Sequence, residues 1–186
     1  MKPVLPVVAA LAIAAASCMS ESNWDTYADW RKANDEWYLK MVDTLDAQGN
    51  NYYTKLSPAW NPGSGVLIHF FNDRSLTAGN LSPLETSIVD MKYIGRYYNL
   101  VPFDSSYTNT AAYGDSIYSS RVGDNIDGWQ IALNAMRVGD SVEVVIPYPV
   151  AYGANGYNTI PPYSVLRFNM KLVDIPAYEL REPLDD

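Results

Sequence analysis

Between Gly65 and Ile175 the apolar residues recur at every second position in four separate segments, and only one short stretch between them recurs at helical spacing. In the first segment Val66, Ile68 and Phe70 alternate with Leu67, His69 and Phe71, so both faces are apolar and the strand is expected to be buried on both sides. In the second, Ile88 to Tyr98, Val89, Met91 and Tyr93 point inward against Asp90, Lys92 and Ile94. Val142, Val144 and Ile146 share one face of the third. Leu166, Phe168, Met170 and Leu172 alternate with Arg167, Asn169 and Lys171 in the fourth. Asp127 to Val138 instead carries Trp129, Leu133 and Met136 on one side and ends at Gly139-Asp140, a short helix. Strands with one helix inserted before the last two make an α+β unit, an antiparallel sheet covering a helix. Asn72–Thr86 and Pro147–Pro162 read as loops. Leu100 to Asp124 is long and polar, with room for short strands.

Upstream the period is different. Ser22 or Asn23 can cap a helix running to about Gln48, where Gly49 stops it. Tyr27, Trp30, Trp37, Met41 and Leu45 form one apolar stripe, expected to pack on the core, with a partner-docking face as the alternative. Asn50-Asn51, Pro58 and Asn61 to Gly65 mark an irregular linker. Residues 1–17 begin with Lys2 and continue as an apolar run from Val4 to Ala16, about half of the roughly 20 residues that span a bilayer. That is a secretory signal peptide rather than a membrane span. The expected organisation is a signal peptide over 1–17, an anchor site with the N-terminal helix and linker over 18–64, the sheet domain over 65–176, and a tail over 177–186.

Composition narrows the chemistry. One cysteine, Cys18, excludes an intrachain disulfide and a cysteine-based metal site, and one histidine excludes a multi-histidine site. No metal or cofactor is expected. The formal net charge of −8 leaves no basic patch to neutralise phosphates, so nucleic acid is not an expected partner. Fifteen Tyr and five Trp against four Phe suit half-exposed strands and binding pockets. Covalent chemistry finds little support. There is no GxSxG, no P-loop and no GxGxxG after a strand, His69 lies in an apolar strand as a core or sheet-face residue, and the acids are scattered.

Two resemblances follow from particular residues. Ala15-Ala16-Ser17-Cys18 resembles the lipobox of bacterial lipoproteins, with Ala15 where that family usually has Leu. It implies a lipid on Cys18 and a protein tethered to a membrane of the bacterial cell envelope, periplasmic or surface-exposed. The second runs from about Gly65 to Ile175. Tyr93-Ile94-Gly95, Phe103-Asp104-Ser105-Ser106, Ile126-Asp127-Gly128-Trp129, Met136 to Asp140, Ala151-Tyr152-Gly153, Ile160-Pro161-Pro162 and Leu166 to Leu172 fall in the order and spacing of an FKBP-type peptidyl-prolyl cis-trans isomerase domain, which the chain resembles. The resemblance implies an FKBP-like antiparallel half-barrel wrapped over the 127–138 helix, here preceded by an N-terminal helix. It implies a pocket for a prolyl ring, with Trp129 as floor and Tyr93, Phe103 and Phe168 as walls. The Ile126 N–H would bind the carbonyl after the proline, the Tyr152 hydroxyl another substrate carbonyl, and Asp104 would lie beside the pocket. Asn125, Tyr157, Ile160 and Tyr118 are expected around the substrate. Asn125 stands where the family has an apolar residue, and Tyr157 is a substrate contact or an exposed aromatic. Ser116 to Gly123 replaces the family's Phe-x-Phe-x-Leu-Gly strand, where Ile117 or Tyr118 takes the aromatic position.

The implied function is isomerisation of X–Pro bonds in proteins folding outside the cytoplasm. The alternatives are a binding or chaperone module of the same fold with little turnover, and a structural envelope lipoprotein whose pocket is plugged by Tyr118 or Tyr157. A helix of about 25 residues is short for dimerisation, so a monomer is expected rather than a dimer.

Overall fold

The computed structural model describes residues 22–59, 61–109 and 116–176. In chain order the elements are α1 (Asn23–Thr26), α2 (Ala28–Val42), β1 (Thr54–Leu56), β2 (Val66–Phe70), β3 (Ile88–Tyr97), β4 (Pro102–Ser105), α3 (Ser106–Asn109), β5 (Tyr118–Arg121), α4 (Asp127–Ala135), β6 (Ser141–Ile146) and β7 (Leu166–Asp174). The strands form one antiparallel sheet in the order β1-β2-β6-β7-β3-β4. β3 is long enough to be shared: Ile88–Met91 pairs with β5, and Ile94–Arg96 with β4. On its other side β3 pairs with β7 along its length, setting Tyr93 opposite Met170 and Gly95 opposite Phe168.

The alternation sorts residues onto two faces. The inner face buries Val66, Ile68, Val89, Met91, Val142, Val144, Ile146, Met170 and Leu172 against Trp129, Ala132, Leu133 and Met136 of the α4 segment. α4 lies very close to the sheet because Gly128 has no side chain; a Cβ there would sit 2.3 Å from Ile146 Cγ2. Behind α4 the buried Asp140 carboxylate anchors the β2–β3 loop, accepting from Thr77 Oγ1 (2.6 Å), Asn72 Nδ2 (3.0 Å) and Arg137 N (2.9 Å) and facing Arg74 at 3.4 Å. Burial pushes this carboxyl up, but those donors outweigh it and hold it below the usual carboxylate range.

The outer face carries a smaller core of Tyr53, Leu67, Val145 and Val165, covered by Trp37, Tyr38 and Met41 of α2. Asn34, wholly buried, ties the helix down: its Oδ1 accepts from Val165 N at 2.8 Å and its Nδ2 donates to Trp30 O at 2.8 Å.

Several elements differ from the sequence expectation. The N-terminal helix breaks at Tyr27 and ends at Val42 rather than Gln48, where the Thr44 hydroxyl bonds back to Lys40 O. Leu45 therefore leaves the stripe, pairs with Asn51 and is 57% exposed. Ser22 makes no side-chain cap; its hydroxyl donates to Asp25 Oδ2. The expected linker contains β1, which extends the sheet beside β2. The long polar stretch supplies β4 and β5. α4 ends at Ala135, three residues before Val138, and Met136 is its cap. Residues 1–17, Cys18 and 177–186 lie outside the described residues. Among the described residues no helix is long and apolar enough to cross a membrane.

Asn34→Ala is expected to leave the Val165 N–H buried and unpaired, costing about 1–3 kcal/mol. Urea unfolding followed by tryptophan fluorescence should show a lower midpoint; an unchanged midpoint would show that α2 is not held by this bond.

Candidate active site

Three elements meet at one end of the inner face. β3 brings Tyr93, β7 brings Phe168, and the first turn of α4 brings Trp129, only 5% exposed. The indole stands nearly perpendicular to Tyr93 (4.9 Å between centroids, 79°), to Phe168 (5.2 Å, 87°) and to Tyr118 of β5 (6.1 Å, 87°). Edge-to-face packing of this kind suits the ring quadrupoles and fixes each ring's tilt. Phe103 of β4 closes the group, 5.6 Å from Phe168 at 86°. Gly95 makes that contact possible: a Cβ there would meet Phe168 at 2.7 Å and Phe103 at 2.8 Å. These rings, with the Ile126 turn and the β6–β7 loop, bound an open cleft of about 520 Å³.

Polar groups surround the apolar floor. The Tyr93 hydroxyl donates to Asp104 Oδ2 at 2.8 Å, and Ser105 N donates to Asp104 Oδ1 at 2.8 Å, so the carboxylate is fixed at the cleft wall. On the opposite rim Tyr152 stacks on Tyr157 (5.1 Å, 12°). The turn that follows Tyr157 is closed by reciprocal bonds between Tyr157 and Ile160, and the Tyr97 hydroxyl holds it through Thr159 O at 2.9 Å. The turn before α4 is braced from below: Gln130 Nε2 donates to Asn125 O (2.7 Å), and Asn125 Nδ2 donates to Arg121 O (2.7 Å). Ile126 O starts the helix by accepting from Trp129 N, while no described residue accepts from Ile126 N–H. Burial, then the charge of Asp104, raises the Tyr152 phenol above its ordinary value. It is therefore a hydrogen-bond donor throughout the neutral range. The arrangement can enclose a small apolar ring and offer donors on two sides, and among the described residues that line it there is no Ser, Cys, Lys or His.

Residues 79–173 match the family model for FKBP-type peptidyl-prolyl cis-trans isomerase. The chain belongs to this family. It is similar to FK506-binding protein 4 of Candida glabrata, 34% identical over 111 residues, 60% of this chain and 26% of that protein. It is also similar to FK506-binding protein 1 of Saccharomyces cerevisiae, 33% identical over 98 residues, 52% of this chain and 83% of that one. Among solved structures, that of FkpA from Escherichia coli superposes with a TM-score of 0.64 at 24% identity, covering 82% of this chain and 62% of that one. The chain spans less than half the length of the first curated relatives it matches, 26%, 48% and 33%.

Within this FKBP domain, all eleven positions named from the sequence around the pocket line the same cleft: Tyr93, Phe103, Asp104, Ile126, Trp129, Tyr152 and Phe168, with Asn125, Tyr157, Ile160 and Tyr118. Tyr118 of β5 packs against Trp129. The Asn125 amide nitrogen is spent on the turn itself. Asp124, Asn158 and Thr159 also line the cleft and were not singled out as site residues. Asp124 and Asn158 carry no motif signal; they reach the cleft because the 3-10 turn Val122–Asp124 before α4 and the left-handed Asn158 (φ 48°) turn the chain there. Tyr97 was missed as the support of Thr159, although its place on an alternating strand gave a hint.

Tyrosine Cζ resonances titrated by NMR, with Tyr152 assigned by its loss in Tyr152→Phe, should show Tyr152 ionising above the exposed tyrosines, whose ordinary value is about 10. Titration together with the exposed set would contradict a buried phenol beside Asp104.

Proposed function

We propose that the chain is a peptidyl-prolyl cis-trans isomerase acting on X–Pro bonds of polypeptides that fold outside the cytoplasm, held at a bacterial envelope membrane by a lipid on Cys18. The observation that carries the reading is the open aromatic cleft, with Trp129 as its floor between Tyr93 and Phe168 and with hydrogen-bond donors at its edges. An X–Pro amide resists rotation by about 18–20 kcal/mol because its C–N bond has double-bond character. Midway through rotation that resonance is lost, the amide is less polar, and an apolar enclosure suits it better than it suits the planar form. Donors that hold the flanking carbonyls while the prolyl ring stays seated favour the twisted state over both ends. Ile126 N–H would take the carbonyl after the proline, and the Tyr152 hydroxyl another. Asp104 orients Tyr93, and burial followed by the Asp104 charge raises the Tyr152 phenol above its ordinary value.

The extracytoplasmic part rests on residues 1–18 of the sequence. The monomer reading is supported by α2, whose Trp37, Tyr38 and Met41 cover the chain's own sheet. A binding or chaperone module is the second reading. It is favoured by the 116–123 segment, where β5 sends only Tyr118 to the cleft. A plugged pocket is disfavoured, because Tyr118 and Tyr157 stand in the walls of an open cleft.

A protease-coupled assay on a short X–Pro peptide, with the chain beginning just after Cys18, tests the proposal. Trp129→Ala is expected to lower kcat/KM at least tenfold. Tyr152→Phe, which keeps the ring and loses one donor, should lower it by about three- to tenfold, the worth of one hydrogen bond. A folded wild-type chain without acceleration would leave the binding module as the better reading.

A further inference from the structure

The cleft does not end at the rim loop. Tyr157, Asn158, Thr159 and Ile160 also line a second, adjoining trough of about 460 Å³, whose other wall is the N-terminal helical segment at Asn23 and Tyr27. None of the 124–126 turn lines it, and the two depressions share the 157–160 segment as a common wall.

The trough's chemistry differs from the cleft's. Among the described residues no charged side chain lines it; its polar side-chain groups are the amides of Asn23, Asn155 and Asn158 and the hydroxyls of Tyr27, Tyr157 and Thr159. A primary amide presents a donor and an acceptor side by side, the same pair that a peptide group presents. Asn155 and Asn158 are exposed, and among the described residues neither side chain has a hydrogen-bond partner. Asn23 Nδ2 donates to Ala154 O at 3.1 Å, which ties the helical segment to the rim loop.

The trough is also built in advance. Trp24 packs edge-on to Tyr163 (5.6 Å, 87°) with the Arg31 guanidinium 3.4 Å over its ring. Trp30 Nε1 donates to Ser164 Oγ at 3.0 Å, and Ser164 in turn donates to Pro161 O at 2.7 Å. The helix is thus fastened to the far end of the rim loop, and the two walls hold their spacing without a ligand. A preformed trough binds without first having to order its own side chains.

We propose that this trough is an extension subsite. It takes an extended, neutral polypeptide segment by main-chain amide contacts, namely the flank of the substrate that leaves the proline cleft across the shared 157–160 segment. The inference rests on the isomerase reading of the cleft. It makes the N-terminal helix part of substrate recognition and predicts a preference for long, unfolded chains over minimal peptides.

The test uses the full chain and three peptides: a four-residue X–Pro peptide, and the same peptide lengthened by four neutral polar residues on one flank or on the other. One extension, not both, should raise kcat/KM about fivefold, as one or two added hydrogen bonds would. Asn155→Ala, an exposed substitution, and Tyr27→Ala should each pull the long-to-short ratio toward one. Equal rates for all three peptides, or a ratio that survives both substitutions, would overturn the subsite. If wild type fails to accelerate even the short peptide, the isomerase reading falls separately. Calorimetric titration of the same peptides then decides the subsite, with tighter, Asn155-sensitive binding of one long peptide supporting it and equal binding overturning it.

Discussion

The contact on which most of the molecule depends is the insertion of the Trp129 indole between Tyr93 and Phe168. It joins α4 to two neighbouring strands, and it is at once the end of the core and the floor of the cleft. It exists because of two absent side chains. Gly128 lets α4 approach Ile146 closely enough for the next residue to reach β3 and β7, and Gly95 lets Phe168 and Phe103 meet over the β3 backbone. Either glycine replaced by alanine would push apart the rings that form the cleft, because close-packed interiors do not absorb an extra methyl without shifting. The site's geometry is therefore inherited from core packing, and no separate device is needed to position the floor.

The outer face solves a different problem. Its apolar cluster is small, and its fastening is polar. Glu143 of β6 is 2% exposed; it accepts from the Tyr53 hydroxyl and pairs with Arg167 of β7, while Asn169 bridges to Arg96 of β3. A buried carboxylate without partners would be strongly destabilising. Here the partners come from β7 and from the segment that follows α2, and Asn169 links the group on to Arg96 of β3. Burial and the bond to Glu143 push the Tyr53 phenol well up, which keeps it a donor. Together with Asn34, this network specifies where the N-terminal helix lies on the sheet.

How much of this could be read from the sequence depended on length and on burial. β2, β3, β6 and β7 were legible because each carries apolar residues at every second position over five or more residues, most of them buried. β1, β4 and β5 were not, because Thr54–Leu56, Pro102–Ser105 and Tyr118–Arg121 are three or four residues long and mostly at the surface. Their pairing comes from neighbouring strands rather than from their own pattern. The end of α2 was misplaced because Asp43 to Gln48 contains no helix breaker; the chain turns instead through Thr44, Asp46 and the left-handed Gly49. In the cleft, the aromatic positions carried sequence signals because each has neighbours at fixed spacing. Asp124 and Asn158 did not, since their places follow from loop conformation.

The two halves of the cleft are therefore held by unlike means, and on the isomerase reading that difference has a use. The floor is rigid because it is core. The rim, with Tyr152, Tyr157 and Ile160, is a loop, and a loop left alone would exchange its donors with water. Tyr97 holds its middle at Thr159, while Trp30 and Ser164 hold its end through Pro161. Both supports trace to one edge-to-face group, in which Trp30 touches Tyr97 at 5.6 Å and Tyr98 at 5.2 Å. Stabilising a twisted amide requires donors that do not move when the amide rotates, because a donor that follows the substrate binds all of its states alike and leaves the barrier unchanged. The N-terminal helix, which looks like an accessory from its place in the chain, supplies that fixity to the loop that needs it.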